Sequence, residues 1–389
     1  MSDGGKTIGY NRPVGSPVRG PAREMSRFFG VAAAGFFIAM AVFPQSIYSG
    51  ARRGLNLWAG ILVPSMLPFF ILAEILMGSG ILRTLGRLLQ PLMGPLFNLP
   101  GAAGLGLALG YTSGFPMGAV ISSRLYSENY LDEDEAGRLL AFTNNSSPGF
   151  LLTSVAAGML SAPAAGWLLA LCHYGSNLLF GFGLGLYSRG KNSLFRRPFR
   201  RFAGSAKPRQ DHHATPAVAP AAATPAKTPA GTSQPGAAAT MPADSFSRLI
   251  TVSISTAIQS ILSLGGYVLL FSALIQLFED LGILGRLAGL LQALLPKGLE
   301  TLGLARALAA GLFEMTLGLN LLSSLALPLR QVLPYCLLLL GWSGFSIQAQ
   351  VAGLAGSARL PLKYYLLGCF MQPLLSLLLF FLTCSFLSF

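Results

Sequence analysis

The sequence predicts an all-α polytopic membrane protein made of two inverted-topology repeats, with broken helices and re-entrant hairpins. Three observations carry this expectation. Of 389 residues, 52% are hydrophobic and 11% charged, against about 25% charged in an ordinary soluble domain. Apolar stretches long enough to cross a bilayer recur along the chain, several of them interrupted by Gly, Pro, Asn and Ser. The second half then repeats the plan of the first at an offset of roughly 200 residues.

A soluble chain this apolar could not cover its surface with polar groups, whereas a bilayer removes that requirement. The 46 glycines and 25 prolines agree, because both residues are commoner in transmembrane helices than in soluble ones. The net charge of +13 does not point to nucleic acid. It gathers in an N-terminal tail (Lys6, Arg12, Arg19, Arg23, Arg27) and one central linker, where it sets orientation, and it lacks the aromatic interleaving of a nucleic-acid groove. Cys172, Cys336, Cys369 and Cys384 lie in apolar runs without metal or disulfide spacing, so neither a metal site nor a cofactor is expected. No HExxH, GxSxG or paired membrane aspartates occur, so an enzyme is not expected either. The polar first 27 residues are too long for the n-region of a cleavable signal.

In order, residues 1–27 read as a disordered tail and 28–53 as a first membrane helix with its loop. A first repeat is expected over 54–187, a flexible linker over 188–244 and a second repeat over 245–389. Spans of about 20 apolar residues fit 28–48 and 54–77, the latter kinked at Pro64 and Pro68. In ILRTLGRLLQPLM (81–93), Leu82, Leu85, Leu89 and Leu92 fall on one helical face, the pattern of a helix in the interface or of an amphipathic connector. Residues 99–125 are apolar but thinned by six glycines and broken at YTSGFP, so a hairpin that enters and returns is expected. Asp132, Glu133, Asp134 and Glu135 should cap the helix that follows. That helix runs into TNNSSPGF (143–150), which must interrupt it. A span over 163–187 holds His173, read as a packed or hydrogen-bonded residue, and Asn177. The linker is basic and then Ala/Pro/Thr-rich, with no large apolar residues to form a core.

The halves match in three places in register. Residues 80–93 pair with 282–295, GYTSGFPMG from Gly110 with GLFEMTLGL from Gly311, and GFLLTSVAAG from Gly149 with GFSIQAQVAG from Gly344. Each half supplies three crossings, because a hairpin adds none, and an odd number inverts the second half. With tail and linker both cytoplasmic, the count closes, and Arg52 and Arg53 dissent, since the count leaves them on the outer side. The breaks YTSGFP, TNNSSPG, FEMTLG and GWSGF are expected to converge near the axis between the halves.

GYTSGFPMGA followed by LLAFTNNSSPGF resembles the YlbJ-type sporulation integral membrane proteins. The duplicated unit resembles the gate, or nucleoside-recognition, domain shared with concentrative nucleoside transporters. The resemblance implies a multi-pass protein of the cell membrane or outer forespore membrane of a spore-forming bacterium. It also implies export of dipicolinic acid from the mother cell during sporulation. The alternatives it leaves open are a structural or assembly protein needed for spore cortex formation, and a nucleoside-type transporter. The expected partners are the lipid bilayer, a small anionic substrate and a coupling proton or cation. The candidate substrate-binding residues are Thr112, Ser113, Gly114, Asn144, Asn145, Ser146, Ser147, Gly149, Ser343, Gly344 and Gln348. Helix N-termini, amides and hydroxyls would hold a dicarboxylate there without an arginine clamp. Glu314, an acid inside the second hairpin, is the candidate coupling group, with capping of a half-helix as the alternative.

Overall fold

The computed structural model of the protein describes residues 21–192, 243–295 and 302–387. Residues 1–20 of the expected tail and 193–242 of the expected linker therefore lie outside the described residues, as does Phe389. Among the described residues every regular element is helical.

Helix α1 (Pro21–Val42) precedes the repeats. The first repeat opens with α2 (Pro44–Leu57) and α3 (Val63–Gly78), which a π-helical turn, Trp58–Leu62, joins into one apolar helix of 35 residues. It continues with α4 (Ile81–Leu92), a π-helical turn Met93–Phe97, α5 (Ala103–Ser113) and α6 (Met117–Ser127). Then come α7 (Glu133–Thr143), a π-helical segment Phe150–Met159 and α8 (Ala165–Asn192). The second repeat follows the same order: α9 (Ala243–Asp280), α10 (Ile283–Gln292), α11 (Leu302–Phe313) and α12 (Met315–Ser323). It ends with α13 (Leu329–Trp342), α14 (Gly344–Ser357) and α15 (Lys363–Leu387).

Among the described residues five helices are long and apolar enough to cross a membrane: 44–78, 165–190, 247–280, 329–357 and 363–385. Arms α5 and α6 have 11 residues each. At 1.5 Å per residue each is about 16 Å long, half of a hydrocarbon core of about 30 Å. They pack on each other, so the segment enters and returns. The pair α11 and α12 repeats this arrangement.

Corresponding helices of the two repeats run antiparallel. Along α2–α3 and α9, a Cβ on Gly50 would lie 2.7 Å from Gln276, Trp58 Nε1 donates to the Ile261 carbonyl at 2.9 Å, and Gly78 abuts Leu249. Along α8 and α15, a Cβ on Gly175 would lie 2.9 Å from Leu379, and one on Gly368 would lie 3.1 Å from Phe180. In both pairs the numbering falls on one helix as it rises on the other. Cross-contacts are reciprocal as well: α7 packs on α15 and α8 on α13, while α6 packs on α14 and α12 on the 150–159 segment. That is the arrangement a two-fold relationship imposes, and it inverts the second repeat in the membrane.

Several boundaries differ from the hydropathy reading: α1 begins at Pro21, inside the expected tail, and α8 runs on to Asn192, into the expected linker. The first helix ends at Val42, and Pro44 opens the next, as Pro does at a first helical position. Arg52 and Arg53 thus lie inside α2 and not in a loop. Arg53 donates to Gln276 Oε1 at 2.6 Å, and Gln276 donates to Asp280 at 2.8 Å. A polar chain from α9 therefore accommodates the charge that hydropathy reads as a break.

Candidate functional site

The acidic run before α7 forms a capping box. Asp132 accepts from the Glu135 N–H at 2.8 Å, and Glu135 accepts from the Asp132 N–H at 2.8 Å. This fixes where α7 starts, and so where it runs out. It ends at Asn144, whose N–H reaches Leu140 O at 3.3 Å, and residues 144–147 are non-helical. Helical structure resumes toward Phe150, whose N–H is capped by Ser147 Oγ at 3.2 Å.

The tip of the first hairpin lies directly on this break. Gly110 abuts Thr143, a Cβ on Gly114 would sit 2.5 Å from the Ser147 nitrogen, and one on Gly118 would sit 2.5 Å from Asn144 Cα. Gly114 also has φ +74°, where a side chain would be strained. The second repeat builds the matching contact around Ser343, the one-residue break between α13 and α14. A Cβ on Gly344, at φ +78°, would lie 2.9 Å from Met315 N and 3.4 Å from Glu314 Cα. The candidate residues therefore gather into two clusters, one per repeat, each a hairpin tip seated on a broken helix.

Within the clusters, several candidates already have partners. Thr112 Oγ1 donates to Ala108 O at 2.8 Å, and Ser113 Oγ faces Met77 Sδ at 4.0 Å. Ser343 Oγ donates to Leu340 O at 3.3 Å, and Gln348 Nε2 donates to Trp342 O at 3.1 Å. Gly149 gives room to Phe69, since a Cβ there would lie 2.6 Å from its ring. Asn144, Asn145 and Ser146 differ. All three are buried, yet both amide groups and the Ser146 hydroxyl lack a hydrogen-bond partner. Native interiors rarely leave such groups unpaired, and each leaves a desolvation cost of about 1–3 kcal/mol uncompensated.

The residues around them come from both repeats, and most were not candidates from sequence. The Tyr111 hydroxyl faces Asn145 and the Tyr365 hydroxyl faces Asn144. Neither hydroxyl forms a hydrogen bond of regular geometry. His173 Nδ1 and Asn177 Oδ1, on α8, are likewise buried without partners. Gln372, from α15, donates to the Ala141 carbonyl at 2.7 Å near the end of α7. The sequence places His173, read there as a packed or hydrogen-bonded residue, and Asn177 in one apolar span, and they are one helical turn apart on α8. Only their nearness to the break gives that spacing a meaning.

Electrostatically, the hairpin tips are unequal. Helix N-termini carry partial positive charge. In the second repeat Glu314, 2% exposed, caps the N-terminus of α12, accepting from the Leu317 N–H at 2.6 Å. In the first repeat the corresponding N-terminus, that of α6, has Pro116 in the capping position and no side-chain cap. One tip thus carries its own carboxylate, and the other has none: its Met117 and Ala119 N–H groups turn to the Gly114 and Pro116 carbonyls at 2.8 and 3.0 Å, beside unpaired polar groups.

A buried arginine supports the base of the first cluster. Arg138 pairs with Asp134 at 3.0 Å and donates to the Phe97 and Asn98 carbonyls at 3.0–3.3 Å. Tyr364 of the second repeat donates to Asp134 at 2.5 Å. Arg189 donates to the Gly94 carbonyl at 2.9 Å and to that of Pro95. The end of the 93–97 turn is thereby held by two guanidinium groups, as suits a helix C-terminus.

Comparison with known proteins agrees with this architecture. The Gate family model, described as nucleoside recognition, matches residues 59–168. The sporulation integral membrane protein YlbJ of Bacillus subtilis (strain 168) is 33% identical over 339 residues, covering 85% of this chain and 75% of that protein. The solved structure of a CNTnw variant in the intermediate 1 state aligns with a TM-score of 0.51 at 14% identity, covering 92% of this chain and 85% of that one. At that identity the likeness is one of fold.

Proposed function

The chain belongs to the family of the sporulation integral membrane protein YlbJ, and from that premise we propose that it is a transporter of a small organic anion. As a multi-pass membrane protein with a gate domain, it would move its substrate by rocking one inverted repeat against the other around a site near the midplane. The observation that carries this reading is the inequality of the hairpin tips. Glu314 shows what the α12 N-terminus accommodates, namely a carboxylate. The α6 N-terminus lacks one, and beside it Asn144, Asn145 and Ser146 are buried without partners. A substrate carboxylate at the first tip would complete the symmetry and satisfy these groups. No cationic clamp is required.

The substrate we propose is dipicolinic acid, a dicarboxylate, exported from the mother cell across the outer forespore membrane during sporulation. Thr112, Ser113, Gly114, Ser147 and Gly149 would shape the first tip, and Ser343, Gly344 and Gln348 the second. Glu314, the sole carboxylate fully buried among the described residues, would bind the coupling proton or cation. Uptake of labelled dipicolinate by the purified protein in liposomes tests the proposal. Saturable uptake that unlabelled dipicolinate suppresses and a nucleoside does not is the expected result. Uptake of the nucleoside instead would transfer the reading to nucleoside transport, and uptake of neither would favour a structural role in cortex formation.

A further inference from the structure

The break at 144–147 has lost the hydrogen bonds of a continuous helix, and buried backbone groups need partners. Both backbone groups of Ser146, which is 1% exposed, find theirs on α8. Its N–H donates to His173 Nε2 at 3.3 Å, and its carbonyl accepts from the Tyr174 hydroxyl at 3.0 Å. Two adjacent residues of one helix thus grip both edges of a single residue in the break. Because Nε2 accepts, the neutral ring carries its proton on Nδ1.

The grip is anchored at the junction of the repeats. The His173 carbonyl accepts from Ser176 Oγ at 2.8 Å and from Asn177 Nδ2 at 2.7 Å. Ser176 Oγ in turn accepts from Ser376 Oγ of α15 at 2.8 Å. A continuous polar chain therefore runs from the last helix of the second repeat to the backbone of the break.

We infer that His173 and Tyr174 are positioning residues, which hold the 144–147 break in its substrate-accepting shape and tie that shape to the packing of α8 on α15. The inference rests on the transport reading for its consequence and on this geometry for its substance. The two residues act through Ser146 and not by touching substrate. Movement of α8 against α15 carries the grip with it, so the rocking of the repeats and the shape of the site are one mechanical event.

The test uses the full chain and two measurements. The first is dipicolinate transport in liposomes, and the second is hydrogen exchange of the 143–150 amides in detergent. His173→Ala removes the acceptor, whereas His173→Gln keeps one where Nε2 stands. Tyr174→Phe removes only the hydroxyl and keeps the ring. A lost bond to a buried group corresponds to about a tenfold effect. His173→Ala and Tyr174→Phe should therefore raise KM about tenfold at an unchanged maximal rate, and speed exchange at 143–150 about tenfold. His173→Gln should stay within about threefold of the native protein in both. If His173→Ala and Tyr174→Phe leave exchange and KM unchanged, the grip is not what shapes the break. A Gln variant that behaves like the Ala variant in both measurements overturns the inference too, since the acceptor would then be irrelevant. Faster exchange in a protein whose native form moves no dipicolinate would support the positioning role and overturn only the choice of substrate.

Discussion

Ser376 Oγ donates to Ser176 Oγ at 2.8 Å where α15 crosses α8, and the two residues are 200 positions apart in the chain. That separation matches the offset of the repeat, so the contact falls where the axis relating the halves passes between their last helices. Both hydroxyls are fully buried. Small polar residues at such a crossing let two helix backbones approach closely and bond in an apolar surrounding.

The crossing can be trapped covalently. Side-chain atoms this close bring two cysteines within the range of a disulfide. Ser176→Cys with Ser376→Cys, in a protein whose four native cysteines are replaced, should cross-link on mild oxidation. With a protease site placed between residues 193 and 242, the cleaved protein should run as one band without reductant and as two with it. Two bands without reductant would mean that α8 and α15 do not cross there.

The same antiparallel packing places the two hairpins on opposite faces of the membrane. Ser127, at the end of α6, and Ser324, after α12, are both exposed. In the cysteine-free protein, Ser127→Cys should react with an impermeant maleimide only from the cytoplasmic side, and Ser324→Cys only from the other. Labelling of both from one side would leave the hairpins on the same face and remove the inversion.

Several features were legible in the sequence because each depends on neighbours in the chain. Asp132 and Glu135 sit at capping-box spacing, and they form that box. TNNSSPG cannot continue a helix, and α7 stops at its second residue. Gly114 and Gly344 mark the tight approaches that repeat in both halves. What hydropathy could not carry was any property set by a partner from far along the chain. Arg53 reads as a loop residue until Gln276 is beside it. Nothing in the sequence marks Arg138 as buried, and Asn98 and Asp134 surround it. His173 reads as a packed histidine, and it is buried as expected, but its importance comes from Ser146, which the sequence cannot place against it. The π-helical segments, such as 150–159, also left no mark that composition alone separates from an ordinary helix.

Asn144 and Asn145 should show opposite effects on stability and on transport. Their amide groups are buried without a hydrogen bond of regular geometry, each facing a tyrosine hydroxyl, so removing them forfeits little hydrogen bonding within the protein. Replacing an unsatisfied buried polar group by an apolar one is neutral or stabilising. Asn144→Ala with Asn145→Ala should therefore insert normally, keep or raise its Tm, and abolish dipicolinate uptake. Strained or unsatisfied groups kept at a site are the usual source of such a trade-off. A marked fall in Tm would mean that the amides support the fold, and native uptake would remove them from the site.

Glu314 separates a cap from a coupling group. Its carboxylate bonds the Leu317 N–H at the start of α12, and a capping side chain contributes about 0.5–2 kcal/mol over Ala. A cap needs only an acceptor, and most surface caps use Asp, Asn, Ser or Thr. Here the acceptor is a carboxylate 2% exposed within a membrane hairpin, where an ionised acid costs several kcal/mol unless something compensates it. The α12 dipole and the hydrogen bonds that the carboxylate accepts from the Leu317 N–H and from Thr316 supply part of that compensation. A proton or cation that comes and goes during the cycle would supply the rest. Glu314→Gln keeps the acceptor and the shape and removes the charge. The variant should fold with a stability change of about 1 kcal/mol and still bind dipicolinate. Its transport should no longer depend on the pH or cation gradient that drives the native protein. Measuring initial uptake in liposomes with and without each imposed gradient decides the matter. If the variant keeps the native gradient dependence, the carboxylate serves α12 as a cap alone, and the coupling ion must bind elsewhere.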